Sequence, residues 1–145
     1  GLALRLVLPP ARVPLLQGDM GKLRQILFNL VSNAVKFTSA GEVVIEVEPQ
    51  SGADAPGLQH FVFRVRDTGK GIAPEHLTRI FEPFFTTKPV GKGTGLGLSL
   101  SYGIINKHNG RFEVESTLGQ GTTFRVIIPI NQDAGTAGPS PEALV

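Results

Sequence analysis

The sequence predicts an α+β fold of two layers, in which helices cover one face of a mixed β-sheet. Segments that alternate between polar and apolar residues, as half-buried strands do, are interspersed with segments of helical periodicity. The predicted order is β-α-β-β-α-loop-α-β-β, and a Gly-containing loop joins the last two strands as in a hairpin. This order indicates one mixed sheet covered by helices.

The first two elements have clear boundaries. Residues 2–8 predict a short strand that ends at Pro9 and Pro10. Asp19 is a good N-cap for a helix that extends to about Phe37. Apolar residues at helical spacing support this helix: Leu23, Ile26, Leu27, Leu30, Val31 and Ala34.

Two strands and a short helix follow. Val43, Ile45 and Val47 alternate with glutamates, which predicts a half-buried strand. Residues 49–57 predict a loop, and residues 58–66 a second strand, which ends at Asp67. A short helix is expected from Pro74 to Ile80 because proline suits a first helical turn.

The remaining elements surround a loop rich in Gly, Thr, Lys and Pro at residues 83–97, in which Phe84 and Phe85 are among the few apolar anchors. We expect this loop to be flexible. A helix over residues 98–107 follows, ended by Asn109-Gly110. The hairpin strands are predicted at residues 111–116 and 122–129.

Composition bounds the domain and its partners. Residues 1–130 are predicted to be one folded domain, and residues 131–145, rich in Ala, Gly, Pro and Ser, a flexible tail or linker. The net charge of +2, without a basic run, argues against a nucleic-acid surface. The absence of cysteine excludes disulfides and thiolate zinc sites. No apolar stretch approaches the ~20 residues of a membrane helix.

The first helix carries a polar stripe of Asn29, Asn33 and Lys36, which lie within roughly 60° of one another at helical spacing. Amide oxygens suit Mg²⁺, and an ammonium suits a phosphate. The alternative is a solvated helix face, although asparagine is a poor helix former.

Residues 67–72 (DTGKGI) place a carboxylate beside two glycines at the end of a strand. Glycines permit positive φ and close approach of a ligand, and Asp67 could accept a hydrogen bond from an exocyclic amine. A simple Asx-turn would also explain this cluster.

Residues 91–98 (GKGTGLGL) lead directly into a helix, and glycines at every second position expose successive N–H groups at its positive end. This pattern predicts an anion site. It differs from the P-loop and from G-x-G-x-x-G. A flexible linker is the alternative. A fourth cluster, residues 119–124, is explained by a hairpin turn alone.

In order, these clusters resemble the motif boxes of sensor histidine kinases. Residues 23–38 are similar to the N box, residues 67–72 to the first glycine box and residues 81–85 to the F box. Residues 93–98 resemble the second glycine box and residues 121–124 the third. A match to one box alone is weak evidence for this family, but five matches in the same order are specific to it.

The resemblance covers about residues 2–130 and implies the Bergerat fold with a flexible ATP lid. DNA gyrase, heat-shock chaperones and mismatch-repair ATPases share this fold. Residues 85–94 (FTTKPVGKGT) resemble in particular the kinases of nitrogen regulation and dicarboxylate sensing.

The resemblance also implies two cofactors, ATP and Mg²⁺. By similarity, Asn33 coordinates Mg²⁺, Asn29 and Lys36 contact phosphates, and Phe37 packs near the ribose. Asp67 accepts from the adenine amine. The full implied set of nucleotide-binding residues is Asn29, Asn33, Lys36, Phe37, Asp67, Gly69, Gly71, Ile72, Lys88, Gly93, Thr94, Gly95, Leu96, Gly97, Leu98 and Thr122.

One position separates phosphoryl transfer from hydrolysis. ATP-hydrolysing relatives carry a Glu four residues before the metal-binding Asn, where this chain has Asn29. An amide cannot take a proton from water at neutral pH, which favours transfer to a protein histidine. The alternative function is a Bergerat-fold ATPase or a nucleotide-gated interaction module.

The acceptor histidine is not expected in this chain, because His60, His76 and His108 all lie outside the sequence context of an acceptor helix. The implied partners are a histidine-bearing dimerisation domain of the same kinase and a downstream response regulator. We expect a monomeric domain within a homodimeric full-length protein. The expected location of this domain is the cytoplasm, and an inner-membrane sensor protein is compatible with it as the parent.

Overall fold

The structure is a computed structural model that describes residues 1–10, 18–51, 58–87, 91 and 95–131. In the described part of the chain, one sheet and three helices form the fold. The strands are β1 (Leu2–Val7), β2 (Gly41–Ser51), β3 (Leu58–Asp67), β4 (Arg111–Thr117) and β5 (Gly121–Asn131), and the helices are α1 (Met20–Phe37), α2 (Pro74–Leu77) and α3 (Gly97–Lys107). The predicted tail lies outside the described residues, apart from Asn131 at the end of β5.

The sheet has the strand order β1-β2-β3-β5-β4. Strand β1 runs parallel to β2, and the other neighbours are antiparallel, so the predicted mixed sheet is confirmed. Strand β5 lies between β3 and β4. As a result, Asp67 at the end of β3 is paired with Thr122 at the start of β5, and Thr122 is paired with Ser116 of β4.

Helix α1 forms where its sequence signals predict. The Asp19 side chain accepts a hydrogen bond of 3.0 Å from the backbone N–H of Lys22, which caps the first turn. The apolar stripe of the helix is buried against the sheet through Ile26, Leu30 and Ala34. Its polar stripe is therefore turned away from the core.

The core lies between the helices and one face of the sheet. Its buried strand residues are apolar and alternate along β2, β3 and β5: Val43, Phe61, Phe63, Val65, Phe124 and Val126. The opposite face of the sheet carries cross-strand ion pairs, such as Arg64 with Glu46 and Glu48. This two-layer arrangement confirms the predicted α+β class.

Two boundaries differ by three residues from the predictions, and the others by two or fewer. Strand β2 continues to Ser51, whereas a loop was predicted from Pro49. Beyond Glu46, β2 has no partner in β1, so this part is an edge that tolerates a proline. Helix α2 ends at Leu77 rather than Ile80, because the following residues form tighter i→i+3 turns, among them the bond from Arg79 N–H to His76 O.

The described helices also bear on membrane topology. None of them combines the length and the apolar character that a membrane crossing requires.

Candidate functional site

A cavity of about 840 Å³ opens between α1, the end of β3, the start of β5 and the start of α3. This volume falls within the range of small-molecule sites. Most of the residues predicted for the site line it: Asn29, Asn33, Lys36, Phe37, Asp67, Gly71, Ile72, Gly95, Gly97, Leu98 and Thr122. The fold thus brings the N box, the three glycine boxes and the base of the predicted lid around one space.

The other predicted site residues have different positions. Gly69 and Leu96 are adjacent to the cavity rather than among its lining residues. The Gly69 N–H donates to Asp67, and the Leu96 carbonyl accepts from the Ser99 hydroxyl at 3.0 Å. Lys88, Gly93 and Thr94 lie outside the described residues.

Asp67 is the buried acid of the cavity, with 8% of its surface exposed. Its Oδ1 accepts a hydrogen bond of 2.8 Å from the Gly69 N–H, and the Thr122 N–H also donates to the carboxylate. Burial raises the pKa of Asp67 above its ordinary value, and these two donors oppose the rise. The buried Thr38 hydroxyl opposes the rise in pKa as well, and less than these two donors.

Gly71 lines the cavity where the chain packs tightly against the turn between β4 and β5. Its φ is +72°, and a Cβ atom would lie 2.2 Å from the Thr117 carbonyl oxygen. Only glycine fits both the conformation and this approach. The first glycine box is therefore packed directly against the turn between β4 and β5, where the Gly119 N–H donates to the Lys70 carbonyl at 2.7 Å.

Asn29 joins α1 to α3. Its Nδ2 donates to the Gly97 carbonyl oxygen and to the Ser101 hydroxyl, both at 3.2 Å. An amide nitrogen carries two hydrogens, so both are used. The polar atom that Asn29 can still offer a ligand is Oδ1, an acceptor, which favours a cation or a bound water over a direct phosphate contact. Asn33 lies one turn further along the same wall.

A backbone hydrogen bond joins the two ends of the lid at its described base. The Phe84 N–H donates to the Gly95 carbonyl at 2.9 Å, and Phe84 has a φ of +67°. The expectation that Phe84 anchors the loop through its side chain is wrong, since 73% of its surface is exposed. Phe85 does anchor it, with its ring 4.7 Å from the Arg79 guanidinium and 5.6 Å from the His76 ring.

Sequence reasoning missed several lining residues, among them Lys70, His76 and Leu118. The Lys70 ammonium lies 4.7 Å from the centre of the Phe37 ring, so a cation covers the aromatic wall. The signal for Lys70 was its place between the two glycines of the first glycine box. Leu118 gave no signal, because its contribution depends on the turn that packs against Gly71.

The three histidines have separate environments. His76 lines the cavity beside Phe85, and His108 is exposed, with its Nδ1 2.8 Å from the Ile104 carbonyl. His60 is half-buried in β3 opposite Pro129. His76 is thus the one of the three histidines that lines the cavity.

Comparison with known proteins identifies the arrangement. Residues 18–132 match the family model described as histidine kinase-, DNA gyrase B- and HSP90-like ATPase. The chain is 43% identical over 122 residues to the sensor kinase CckA of Brucella abortus and 40% identical over 119 residues to the sensor histidine kinase ZraS of Escherichia coli. These alignments cover 78% and 82% of the chain but only 13% and 24% of the two relatives.

Solved structures agree with this match. Full-length ShkA in complex with AMPPNP gives a TM-score of 0.75 at 37% identity, over 90% of this chain and 26% of that one. The catalytic domain of the histidine kinase ThkA gives 0.67 at 31% identity, over 88% and 80%. The resemblance to sensor histidine kinase catalytic domains is confirmed, and the narrower resemblance to nitrogen-regulation kinases stays a prediction. The chain belongs to the family of histidine kinase-, DNA gyrase B- and HSP90-like ATPases, and it has the Bergerat fold of that family.

Proposed function

We propose that this domain binds ATP with Mg²⁺ and presents the γ-phosphoryl group to a histidine side chain on a separate acceptor domain. One observation carries the proposal. The buried carboxylate of Asp67 and the Asn29–Asn33 wall of α1 lie on one cavity whose size suits a nucleotide. A carboxylate can recognise the amine of a base, while amide oxygens and a helix N-terminus suit a metal-bound polyphosphate.

At the base end, the donors from Gly69 and Thr122 fix the Asp67 carboxylate. A carboxylate only accepts hydrogen bonds, so it pairs with the adenine amine and repels a carbonyl at the same place. Ile72 lines the cavity beside it and supplies apolar surface for a ring.

At the phosphate end, Asn33 would hold Mg²⁺, and Lys36 would contact a phosphate. The donor set fits this ion, because Mg²⁺ takes few protein oxygens and completes its shell with water and phosphate oxygens. The Asn29 nitrogen is held by α3, so its Oδ1 adds a second oxygen on the same helix face. In the described part of the chain, no three His, Cys, Asp or Glu side chains converge on a metal position. When bound, the ion neutralises phosphate charge.

Asn29 also bears on the reaction. An amide cannot accept a proton from an attacking water, and its hydrogens are already engaged with α3. Asn29 therefore favours phosphoryl transfer to a protein acceptor over hydrolysis of ATP. Hydrolysis is the reaction expected of the alternative, a Bergerat-fold ATPase or a nucleotide-gated interaction module. The partners follow from this reaction: a histidine-bearing dimerisation domain of the same protein, and a response regulator downstream. We propose that the domain lies in the cytoplasm and that the full-length protein is a homodimer.

Titration calorimetry of the 145-residue chain with ATP, ADP and GTP, with and without Mg²⁺, tests the binding step. We expect Mg²⁺-dependent binding that prefers ATP over GTP. Asp67→Asn should weaken ATP binding more than GTP binding, since the Asn amide also presents donors to the adenine amine. Glu75→Gln, an exposed change near the cavity, is the control. Absence of binding at millimolar ATP contradicts the proposal.

The transfer step needs the full-length protein. Radiolabelled phosphate from ATP should appear on a histidine outside this domain, in an acid-labile and base-stable linkage. Asn33→Ala should lower the transfer and the Mg²⁺-dependent affinity together while leaving the fold intact. Steady phosphate release by the isolated domain, without an acceptor, would support the ATPase alternative.

A further inference from the structure

The hydroxyl of Ser116 joins the first glycine box to the start of β5. The Ile72 N–H of the first glycine box donates to it at 2.8 Å. Its oxygen also lies 3.0 Å from the Gly121 carbonyl oxygen and 2.8 Å from the Thr122 hydroxyl oxygen. Ser116 is paired with Thr122 in the β4–β5 ladder, so both side chains lie on the same face of the sheet.

Counting hydrogens assigns the direction of these bonds. The Ser116 hydroxyl has one hydrogen and two lone pairs, and a lone pair is used by the Ile72 N–H. The Gly121 carbonyl can only accept, so the bond at 3.0 Å requires the hydrogen of Ser116. The contact of 2.8 Å is then satisfied when the Thr122 hydroxyl donates to the remaining lone pair of Ser116.

This assignment fixes the chemical character of Thr122. With its hydrogen directed to Ser116, the Thr122 hydroxyl offers the cavity lone pairs alone. Thr122 is paired with Asp67, whose carboxylate is also an acceptor, and both are buried. The base end of the cavity therefore presents two acceptors side by side, and the Thr122 hydroxyl is not free to turn and donate.

We propose that Ser116 is a positioning residue that makes the site selective for a base with an amine at this edge over a base with a carbonyl there. The inference rests on the proposed function, since it concerns which nucleotide the same cavity accepts. Without Ser116, the Thr122 hydroxyl rotates and can donate to a carbonyl, so the discrimination falls while the phosphate contacts are unchanged.

The sharpest probe pair is ATP and inosine 5′-triphosphate. The two share the sugar and the triphosphate, and the second carries a carbonyl in place of the adenine amine, with a hydrogen on the adjacent ring nitrogen. Calorimetry on the wild-type chain should show a preference for ATP. Ser116→Ala should reduce this preference about tenfold, the size expected for one hydrogen bond. Ser116→Thr, which keeps the hydroxyl, should retain it.

A double-mutant cycle separates positioning from a general structural effect. In a Thr122→Val background no hydroxyl is left to orient, so Ser116→Ala should not change the preference further. Thr117→Ala removes the next side chain on the same strand, which points to the other face, and should leave the preference as in the wild type. If Ser116→Ala does not fold, Ser116→Cys keeps the shape with much weaker hydrogen bonding.

The outcomes are distinct. A folded Ser116→Ala or Ser116→Cys variant with the wild-type preference overturns the role of Ser116 and leaves nucleotide binding intact. An equal effect of Ser116→Ala in the wild-type and Thr122→Val backgrounds also overturns it, since the effect would not pass through Thr122. A wild-type chain that binds neither nucleotide overturns the proposed function and this inference together.

Discussion

The side-chain nitrogen of Asn29 and the carbonyl oxygen of Gly97 lie 3.2 Å apart, and this contact joins the middle of α1 to the first residue of α3. The same nitrogen donates to the Ser101 hydroxyl, which is fully buried. The Asn29–Asn33 wall of α1 and the helix that follows the lid are therefore connected through one amide. Asn29 has a structural function in addition to its place in the cavity.

We expect Asn29→Asp to destabilise the domain. The substitution replaces the donor by an oxygen, which would face the Gly97 carbonyl at the same distance, and an unpaired buried acceptor costs about 1–3 kcal/mol. Urea unfolding followed by circular dichroism measures the change. Gln25→Glu, an amide-to-acid change on the exposed part of the same helix, should shift the free energy of unfolding by less than about 0.5 kcal/mol. Equal effects of the two substitutions would show that the Asn29–Gly97 bond contributes nothing.

The raised pKa of Asp67 predicts that Asp67→Asn increases the stability of the domain by an amount that depends on pH. Because burial raises this pKa, the folded chain binds the proton more tightly than the unfolded chain. The stability that this carboxyl contributes is full below its unfolded pKa and is lost as pH rises through the folded pKa. Above that window the wild type carries the cost of a buried charge, and Asn does not.

Thermal unfolding of wild type and Asp67→Asn at neutral and at acidic pH measures this difference. We expect the variant to be the more stable protein at neutral pH, and the gain to shrink in acid, although nucleotide recognition is impaired. Glu75→Gln, at an exposed carboxyl, should show no such trend. A variant that is less stable than wild type at neutral pH would mean that the carboxylate's bonds to Gly69 and Thr122 outweigh its burial.

Much of the fold and of the site could be predicted because the signals are local. The cap at Asp19, the apolar stripe of α1 and the alternation in β3 each depend on neighbouring residues, and each matches the structure. The polar stripe of α1 is likewise a local pattern, and both Asn29 and Asn33 line the cavity.

The missed features depend on pairing between distant segments. Ser116 matters because β5 inserts between β3 and β4 and sets Ser116 opposite Thr122, which strand patterns alone do not specify. Ser101 is similar, since its hydroxyl acquires a function only when α3 packs against Asn29. Phe84 is exposed despite its hydrophobicity, at a positive φ that the sequence pattern does not indicate.

Two glycine substitutions should have opposite effects. Gly95 has a φ of +68°, and a Cβ atom there would lie 2.4 Å from the Phe84 carbonyl carbon, so Gly95→Ala should break the Phe84–Gly95 bond. We expect faster exchange of the Phe84 amide hydrogen and weaker ATP binding. Gly103 lies in α3 with open space around it, so Gly103→Ala should add about 0.5–1 kcal/mol of stability. Unchanged exchange at Phe84 in Gly95→Ala would mean that the base of the lid accommodates the methyl group.

The last prediction compares two adjacent aromatic residues. Phe84 is largely exposed and has a positive φ, a conformation that disfavours bulky side chains and that asparagine tolerates well. Phe84→Asn should therefore leave the free energy of unfolding unchanged or raise it by up to about 1 kcal/mol. Phe85 packs on His76 and Arg79, so Phe85→Ala should cost at least about 1 kcal/mol. Urea unfolding of both variants measures the contrast. Backbone strain at an exposed residue that adds no stability points to a function for that residue. If Phe84→Asn instead costs as much as Phe85→Ala, the Phe84 ring is part of the packing of the lid base, and that functional interpretation is wrong.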